Sequence, residues 1–99
     1  MKPVTIINHL AIKPGSMDDF IDAQHRFVTA LPSCGLIGGR MYRGVDGQTA
    51  VLVSTFESKE AQEGLLQRTD FKEHIQNLKA FVESSSPVFY DEAYTTGNF

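Results

Sequence analysis

Apolar residues follow strand-like runs in some parts of the chain and helical spacing in others. Val4 to Ile12 is rich in β-branched residues and ends before Pro14-Gly15, which predicts a first strand followed by a turn. From Met17 to Leu31 the apolar side chains recur at helical spacing, and only Gln24 interrupts their stripe. We therefore predict a strand and then a helix with one apolar face.

Two further apolar runs, Leu36 to Gly44 and Thr49 to Phe56, flank the segment Val45-Asp46-Gly47-Gln48. An Asp-Gly pair between two strand-like runs is typical of an antiparallel hairpin. Helical spacing returns at Lys59 to Arg68, and a further helix follows Thr69-Asp70. Its predicted stripe consists of Phe71, Ile75, Leu78, Phe81 and Val82.

Polar residues mark where the helices and the last strand begin. Ser16, with Asp19 three residues later, resembles a capping box, and Ser58 is placed to cap the second helical segment. Asp70 has the features of a fresh cap for the last helix. Ser84 to Pro87 is predicted as a loop, and Val88 to Tyr94 as the last strand.

The element order β-α-β-β-α-β predicts an α+β, ferredoxin-like fold with an antiparallel sheet, in a single domain over residues 1–99. Its helices would cover one face of the sheet. The run Ala50-Val51-Leu52-Val53 is nevertheless apolar on both faces, and Ile7 and Ala11 lie opposite the helix-facing residues of the first strand. We therefore expect a second copy of the chain to cover the other face, in a homodimer. Scattered surface hydrophobics are the alternative.

Composition and charge limit the kinds of partner and compartment that we expect for this protein. The net charge is −3 and no long run of Lys or Arg occurs, so a nucleic-acid surface is not expected. No stretch reaches membrane-spanning length, and the single cysteine, Cys34, suits a reducing compartment; we expect a cytoplasmic protein without membrane contact. The histidines lack a short ligand spacing, so no metal site is predicted.

Several segments, in order, resemble the antibiotic biosynthesis monooxygenase (ABM) family. They are Asn8-His9-Leu10-Ala11-Ile12-Lys13-Pro14-Gly15, Gly35-Leu36-Ile37-Gly38 with Tyr42-Arg43, Phe56-Glu57-Ser58-Lys59-Glu60-Ala61, and Phe71-Lys72-Glu73-His74. The resemblance implies a dimeric α/β barrel with a pocket between sheet and helices. It further implies a monooxygenase that acts on a small phenol- or quinol-type aromatic and needs no cofactor. A dimeric module that binds a small apolar ligand, or a stress-related module, is the alternative.

The resemblance also suggests site residues. Asn8 would orient the substrate or dioxygen, His74 would serve as base, and Arg40 or Tyr42 would stabilise the developing anion. Each has a structural alternative: a core amide bonded to backbone for Asn8, a helix-edge histidine for His74, and a salt bridge with a satisfied hydroxyl for Arg40 and Tyr42. His9 is expected to face away from Asn8.

Three further residues are expected around the substrate. Phe56 and Phe71 match family motifs and are predicted at the pocket wall. Leu65 stands where a haem-degrading branch of the family has a Trp, and that branch's His position falls on Ile75. Haem degradation is therefore not expected from this chain.

Overall fold

The computed structural model describes residues 2–98, which alternate strands and helices in the predicted order. The sheet is antiparallel, with β3 between β1 and β2 and with β4 on the far side of β1. This split βαβ arrangement confirms the ferredoxin-like α+β fold. The elements are β1 (Val4–Ile12), α1 (Met17–Ala30), β2 (Leu36–Arg43), β3 (Thr49–Phe56), α2 (Lys59–Leu66), α3 (Thr69–Leu78) and β4 (Val82–Tyr90).

The core lies between the helices and one face of the sheet. Strand alternation sends every second side chain of β1 to this face, including Leu10 and Ile12, which are almost fully buried. Phe20 of α1 is the largest fully buried side chain among the described residues. The buried cluster consists of Leu10, Ile12, Phe20, Ala50 and Leu78. We call this side of the sheet the helix face.

The opposite side of the sheet, which we call the open face, carries the other half of each strand's side chains. On β1 and β3 they include four half-buried apolar side chains, those of Ile7, Ala11, Val51 and Val53, together with threonines and the exposed His9. The outer strands add the exposed side chains of Tyr42, Val88 and Tyr90. The sheet is thus apolar on both faces, as predicted, and no helix of residues 2–98 covers the open face.

The hairpin between β2 and β3 has the predicted Asp-Gly turn. Asp46 Oδ1 accepts hydrogen bonds from the backbone N–H groups of Gln48 and Thr49, at 2.8 and 3.1 Å. Gly47 has φ 74°, a left-handed conformation that favours glycine. These N–H donors also hold the pKa of the exposed Asp46 carboxyl below its usual value.

The helix caps follow the prediction in one case and differ in two. Ser58 Oγ accepts from the N–H of Ala61 at 3.1 Å, so the predicted cap of α2 is confirmed. Ser16 is the N-cap residue of α1, as predicted, but its side chain makes no capping bond, because its backbone is already in a helical conformation. The cap of α3 is Arg68 rather than Asp70, which lies within the helix and binds the Arg68 side chain instead.

The predicted stripe of the last helix was wrong in three positions. α3 ends at Leu78, so Phe81 lies beyond it and Val82 begins β4. Ile75 is 40% exposed, whereas its neighbour His74 is only 8% exposed. Because adjacent helical residues lie about 100° apart, burying His74 turns Ile75 towards solvent.

The last strand begins earlier than predicted. Residues 84–87 were expected to form a loop, but they pair with β1 within β4, which runs from Val82 to Tyr90. Serine has a modest strand propensity, and here pairing with a central strand overrides it. The proline of this segment is tolerated because β4 is an edge strand.

Candidate functional site

A pocket of about 200 Å³ lies between α1 and the helix face of β2 and β3. We call it the sheet–helix pocket. Its polar members are Gln24 and His25 of α1 and Ser54 of β3. The remaining lining is mostly apolar: Ile21, Val28, Leu36, Gly39, Arg40, Met41 and Leu52. Mostly apolar walls with a few polar groups are typical of a site for a small organic ligand.

Gln24 reaches from this pocket to the last helix. Its Oε1 lies 2.6 Å from Nε2 of His74, and the amide oxygen can only accept. The imidazole must therefore carry its proton on Nε2 and donate it to Gln24. Gln24 interrupts the apolar stripe of α1 and His74 borders that of α3, and the fold brings these two polar residues together.

Aromatic packing fixes the ring of His74. It stacks on Phe27 with ring centroids 4.0 Å apart and an interplanar angle of 3°. Phe27 in turn contacts Phe71 at 6.1 Å between centroids. Burial among these rings lowers the pKa of His74, because desolvation disfavours the imidazolium. The histidine is therefore neutral near pH 7 and suited to a fixed, directional hydrogen bond.

A second depression, which we call the interhelical groove, lies between α1 and α3 and has a volume of about 310 Å³. His74 borders it together with Phe27, Ala30, Leu31, Asp70, Glu73 and Asn77. Within residues 2–98, every fully buried side-chain nitrogen or oxygen has a hydrogen-bond partner. Nδ1 of His74 binds no described residue, so it is the ring nitrogen open to this groove.

The predicted site residues are spread over three places. Asn8 lies on the helix face as expected, where its Oδ1 accepts the backbone N–H of Ser86 at 3.0 Å. This is the backbone bond that the structural alternative for Asn8 expects. Asn8 borders neither the sheet–helix pocket nor the interhelical groove.

Arg40 and Tyr42 share one side of β2, as predicted, but strand alternation directs both side chains to the open face. Arg40 still borders the sheet–helix pocket between Gly39 and Met41. Tyr42 does not border it and is 44% exposed. The structure therefore keeps one member of this pair near the pocket and places neither beside His74.

The predicted wall residues pack elsewhere. Phe56 and Leu65 are buried on the helix side, at 4% and 7% exposure. Phe71 packs on Phe27. None of these borders the sheet–helix pocket or the interhelical groove; they support the elements that do.

Three polar residues of the pocket were not predicted as site residues. Gln24 gave a signal in the sequence, because it interrupts the apolar stripe of α1. His25 lies exposed at the pocket edge. Ser54 sits among strand residues and gave no signal of its own.

The described residues form no metal-ligand cluster and place no histidine at the position that the haem-degrading branch uses. Residues 2–98 contain no group of three or more His, Cys, Asp or Glu side chains placed to hold a metal ion. The position of the haem branch's histidine is occupied by Ile75, which points to solvent. No helix in the same part of the chain is both long and apolar enough to cross a membrane.

The fold defines a class: small ferredoxin-like domains with a pocket between one sheet and its helices. The family model of antibiotic biosynthesis monooxygenase matches residues 3–77. The chain belongs to this family. Among curated protein sequences, none matches the chain.

Solved structures show the same fold. A mutant of SnoaB, a cofactor-independent oxygenase from Streptomyces nogalater, superposes with a TM-score of 0.82 at 20% identity, covering 96% of this chain and 97% of that one. A conserved protein from Methanosarcina mazei gives 0.80 at 14% identity, with 93% and 94% covered. A Pseudomonas aeruginosa protein gives 0.79 at 12% identity, with 95% and 97% covered. At these identities the likeness concerns the fold.

Proposed function

We propose that this protein is a cofactor-independent monooxygenase and that the sheet–helix pocket holds a small phenol- or quinol-type aromatic. The observation that carries the proposal is an apolar pocket with few polar groups, in a chain of this family. The structural likeness to SnoaB, a cofactor-independent oxygenase, also supports a monooxygenase function.

The size of the pocket narrows the substrate. Drug-sized ligands occupy roughly 300–1,000 Å³, and this pocket measures about 200 Å³. A ligand of one or two fused rings suits this volume better than a larger polycyclic compound. The apolar side chains of Val28, Met41 and Leu52 would bury its ring, and polar groups would meet its oxygen.

In the proposed reaction the substrate itself supplies the electrons. A quinol loses a proton, and the resulting anion transfers an electron to O₂. Recombination of the radicals forms the new carbon–oxygen bond. Cleavage of the O–O bond leaves one oxygen atom on the ring and releases the other as water. Hydroxylation of the ring carbon supplies two electrons to O₂, and oxidation of the quinol to the quinone supplies the other two, so that O₂ is fully reduced to the ring oxygen and water.

The residues around the pocket have distinct tasks in this scheme. His25 at the pocket edge is placed to take the first proton, since imidazole is a common general base. The side chain of Arg40 lies on the open face of the sheet, so Gln24 and Ser54 are the polar groups left in the pocket to meet the anion. His74 was predicted as the base, but its Nε2 proton is donated to Gln24 and its Nδ1 opens to the interhelical groove. We therefore assign His74 to positioning.

Oxygen uptake tests this proposal. Purified protein is mixed with a naphthohydroquinone, and O₂ consumption is followed above the rate of spontaneous oxidation. We expect saturable uptake that is abolished by Val28→Trp, which fills the pocket, and retained by Leu66→Trp, on the exposed side of α2. Circular dichroism confirms that both variants fold.

The two possible functions give different results. Uptake that Val28→Trp leaves unchanged, in a folded variant, contradicts the assignment of the pocket. Saturable binding of the aromatic without uptake at any pH favours the binding module instead. The small number of polar groups in the pocket is the observation that supports a binding module.

A further inference from the structure

The hydrogen bond between Gln24 and His74 decides which end of the Gln24 amide faces the ligand. The Oε1 atom is engaged by the imidazole N–H at 2.6 Å. An amide has its NH₂ group on the other side of the same carbon, so fixing the oxygen also fixes the two N–H donors. The orientation of this amide is therefore set by α3, although Gln24 itself belongs to α1.

The NH₂ group of Gln24 has no described partner. All fully buried polar side-chain atoms in residues 2–98 are hydrogen-bonded, and the described contacts of Gln24 consist of its bond to His74. Its amide nitrogen must therefore be accessible. Gln24 borders the sheet–helix pocket and does not border the interhelical groove, so of these two cavities the pocket is the one that the accessible donors can reach.

His74 is well suited to orient the Gln24 amide. Its ring is 8% exposed and stacks on Phe27 almost in parallel, which prevents it from rotating away. A donor held by packing loses little entropy when it forms its bond. The amide in turn presents N–H donors in a largely apolar pocket, where a hydrogen bond to a charged oxygen is stronger than in water.

We propose that His74 orients the Gln24 amide so that its NH₂ group donates into the sheet–helix pocket, which thereby selects aromatic ligands with an oxyanion or carbonyl oxygen. Gln24 contacts the ligand, and His74 is a positioning residue. The inference rests on the proposed function only in taking the same pocket as the ligand site. It names the chemical group that the pocket recognises: a phenolate, an enolate or a quinone oxygen.

A binding experiment without turnover tests this inference. The probes are 2-hydroxy-1,4-naphthoquinone, which is coloured and anionic at neutral pH, and naphthalene, which has the same ring system without oxygen. Affinities are measured by titration calorimetry with the whole chain. We expect the wild type to prefer the quinone. Gln24→Leu should weaken quinone binding about 10- to 100-fold, as for loss of a hydrogen bond to a charged group, and leave naphthalene binding unchanged.

Variants of His74 separate positioning from mere structure. His74→Phe keeps the aromatic stack but removes the donor, so the quinone preference should fall while naphthalene binding stays. His74→Gln places an amide N–H near the position of Nε2 and should restore much of the preference. Gln76→Leu, an exposed glutamine on α3 that borders neither cavity, is the matched control and should behave as the wild type.

Several results would overturn the inference. They are equal binding of the quinone by Gln24→Leu and the wild type, equal behaviour of His74→Phe and His74→Gln, and no measurable binding of the quinone by the wild type. Failure of the oxygenase proposal can be distinguished from failure of this inference. If the quinone preference depends on Gln24 but no quinol consumes O₂, the pocket recognises oxygen-bearing aromatics without oxidising them. If O₂ uptake survives in Gln24→Leu with unchanged KM, the oxygenase stands and this inference falls.

Discussion

Gly35 and Ala61 approach so closely that Gly35 has no room for a side chain. A Cβ built on Gly35 would lie 2.6 Å from the Cβ of Ala61, at the start of α2. The backbone of Gly35 also has φ 85°, and its carbonyl accepts the N–H of Glu57 at 2.8 Å. This contact joins the loop before β2 to the first turn of α2, so two of the segments that resemble the family meet here.

Gly35→Ala should therefore destabilise the fold by more than its backbone conformation alone explains. We expect a loss of about 2–4 kcal/mol in the free energy of unfolding, from left-handed strain plus overpacking. Gly15→Ala is the matched control, because φ there is 77° and nothing lies within 4 Å of the added Cβ. Urea denaturation measures both. Adding Ala61→Gly to Gly35→Ala should recover the overpacking part; equal losses in the two alanine variants would contradict the contact.

The stability of the protein should fall in mildly acidic solution because of His74. Its pKa is lowered from 6.5 by burial, so the unfolded chain binds a proton at a higher pH than the folded one. Asp70 and Glu73 border the same groove, and carboxylates there favour the imidazolium, but desolvation prevails. The stabilisation is complete above about pH 6.5 and is lost as the pH falls through the folded pKa.

Thermal melts between pH 7.5 and pH 5 measure this dependence. His74→Phe should flatten the profile in that window, because the variant has no buried imidazole to protonate. The carboxyl groups of Asp46 and Asp70, whose pKa values lie below their usual 3.8, contribute at lower pH. A profile of His74→Phe that matches the wild type would refute the assignment.

Asn8 should matter more for stability than for catalysis. Its Oδ1 accepts the backbone N–H of Ser86, and this bond ties the edge strand β4 to β1. Asn8→Ala should cost about 1 kcal/mol of unfolding free energy, because the N–H loses its partner at a partly exposed edge. Asn8→Asp keeps the acceptor and should recover most of it. A large loss of kcat in Asn8→Ala, at unchanged stability, would instead favour the catalytic role predicted from the family.

The open face should pair with a second copy of the chain. Val51 and Val53 lie at its centre and are apolar, and the side chains of Tyr42, Val88 and Tyr90 around them are each more than 40% exposed. Analytical ultracentrifugation at micromolar concentration should show a dimer. Val53→Asp should give a monomer, because a carboxylate would lose its hydration in the interface, whereas Leu66→Asp, on α2, should not. A monomeric wild type at that concentration would show that the face stays open.

Strand and hairpin patterns translated directly into structure where the local signal was strong. Val4 to Ile12 and Thr49 to Phe56 were predicted with their observed bounds, and the Asp-Gly turn formed between β2 and β3. The last strand was misplaced because its serines have no strand signature of their own. Their state depends on a backbone partner, β1, that lies far away along the chain.

For the site, the sequence showed which polar residues stand in or beside an apolar pattern, but not which partner or which face of the sheet each of them meets. Gln24 was visible as a polar position in an apolar stripe, and His74 stood at the edge of another. Alternation also placed Arg40 and Tyr42 on one side of their strand, as the register confirms. It could not show that this side faces away from the helices, because β2 carries an arginine on each side, Arg40 with Tyr42 on one and Arg43 with Met41 on the other.

By itself, the sequence determined the fold class, the element order and most element bounds, since these follow from periodicity, turn chemistry and backbone propensity within a few residues. Only the tertiary structure decided that His74 is buried and Ile75 exposed, and that His74 donates to Gln24 at 2.6 Å. A one-residue choice on a helix depends on how α3 is rotated against α1. That rotation is set by packing between segments fifty positions apart in sequence, which no local pattern records.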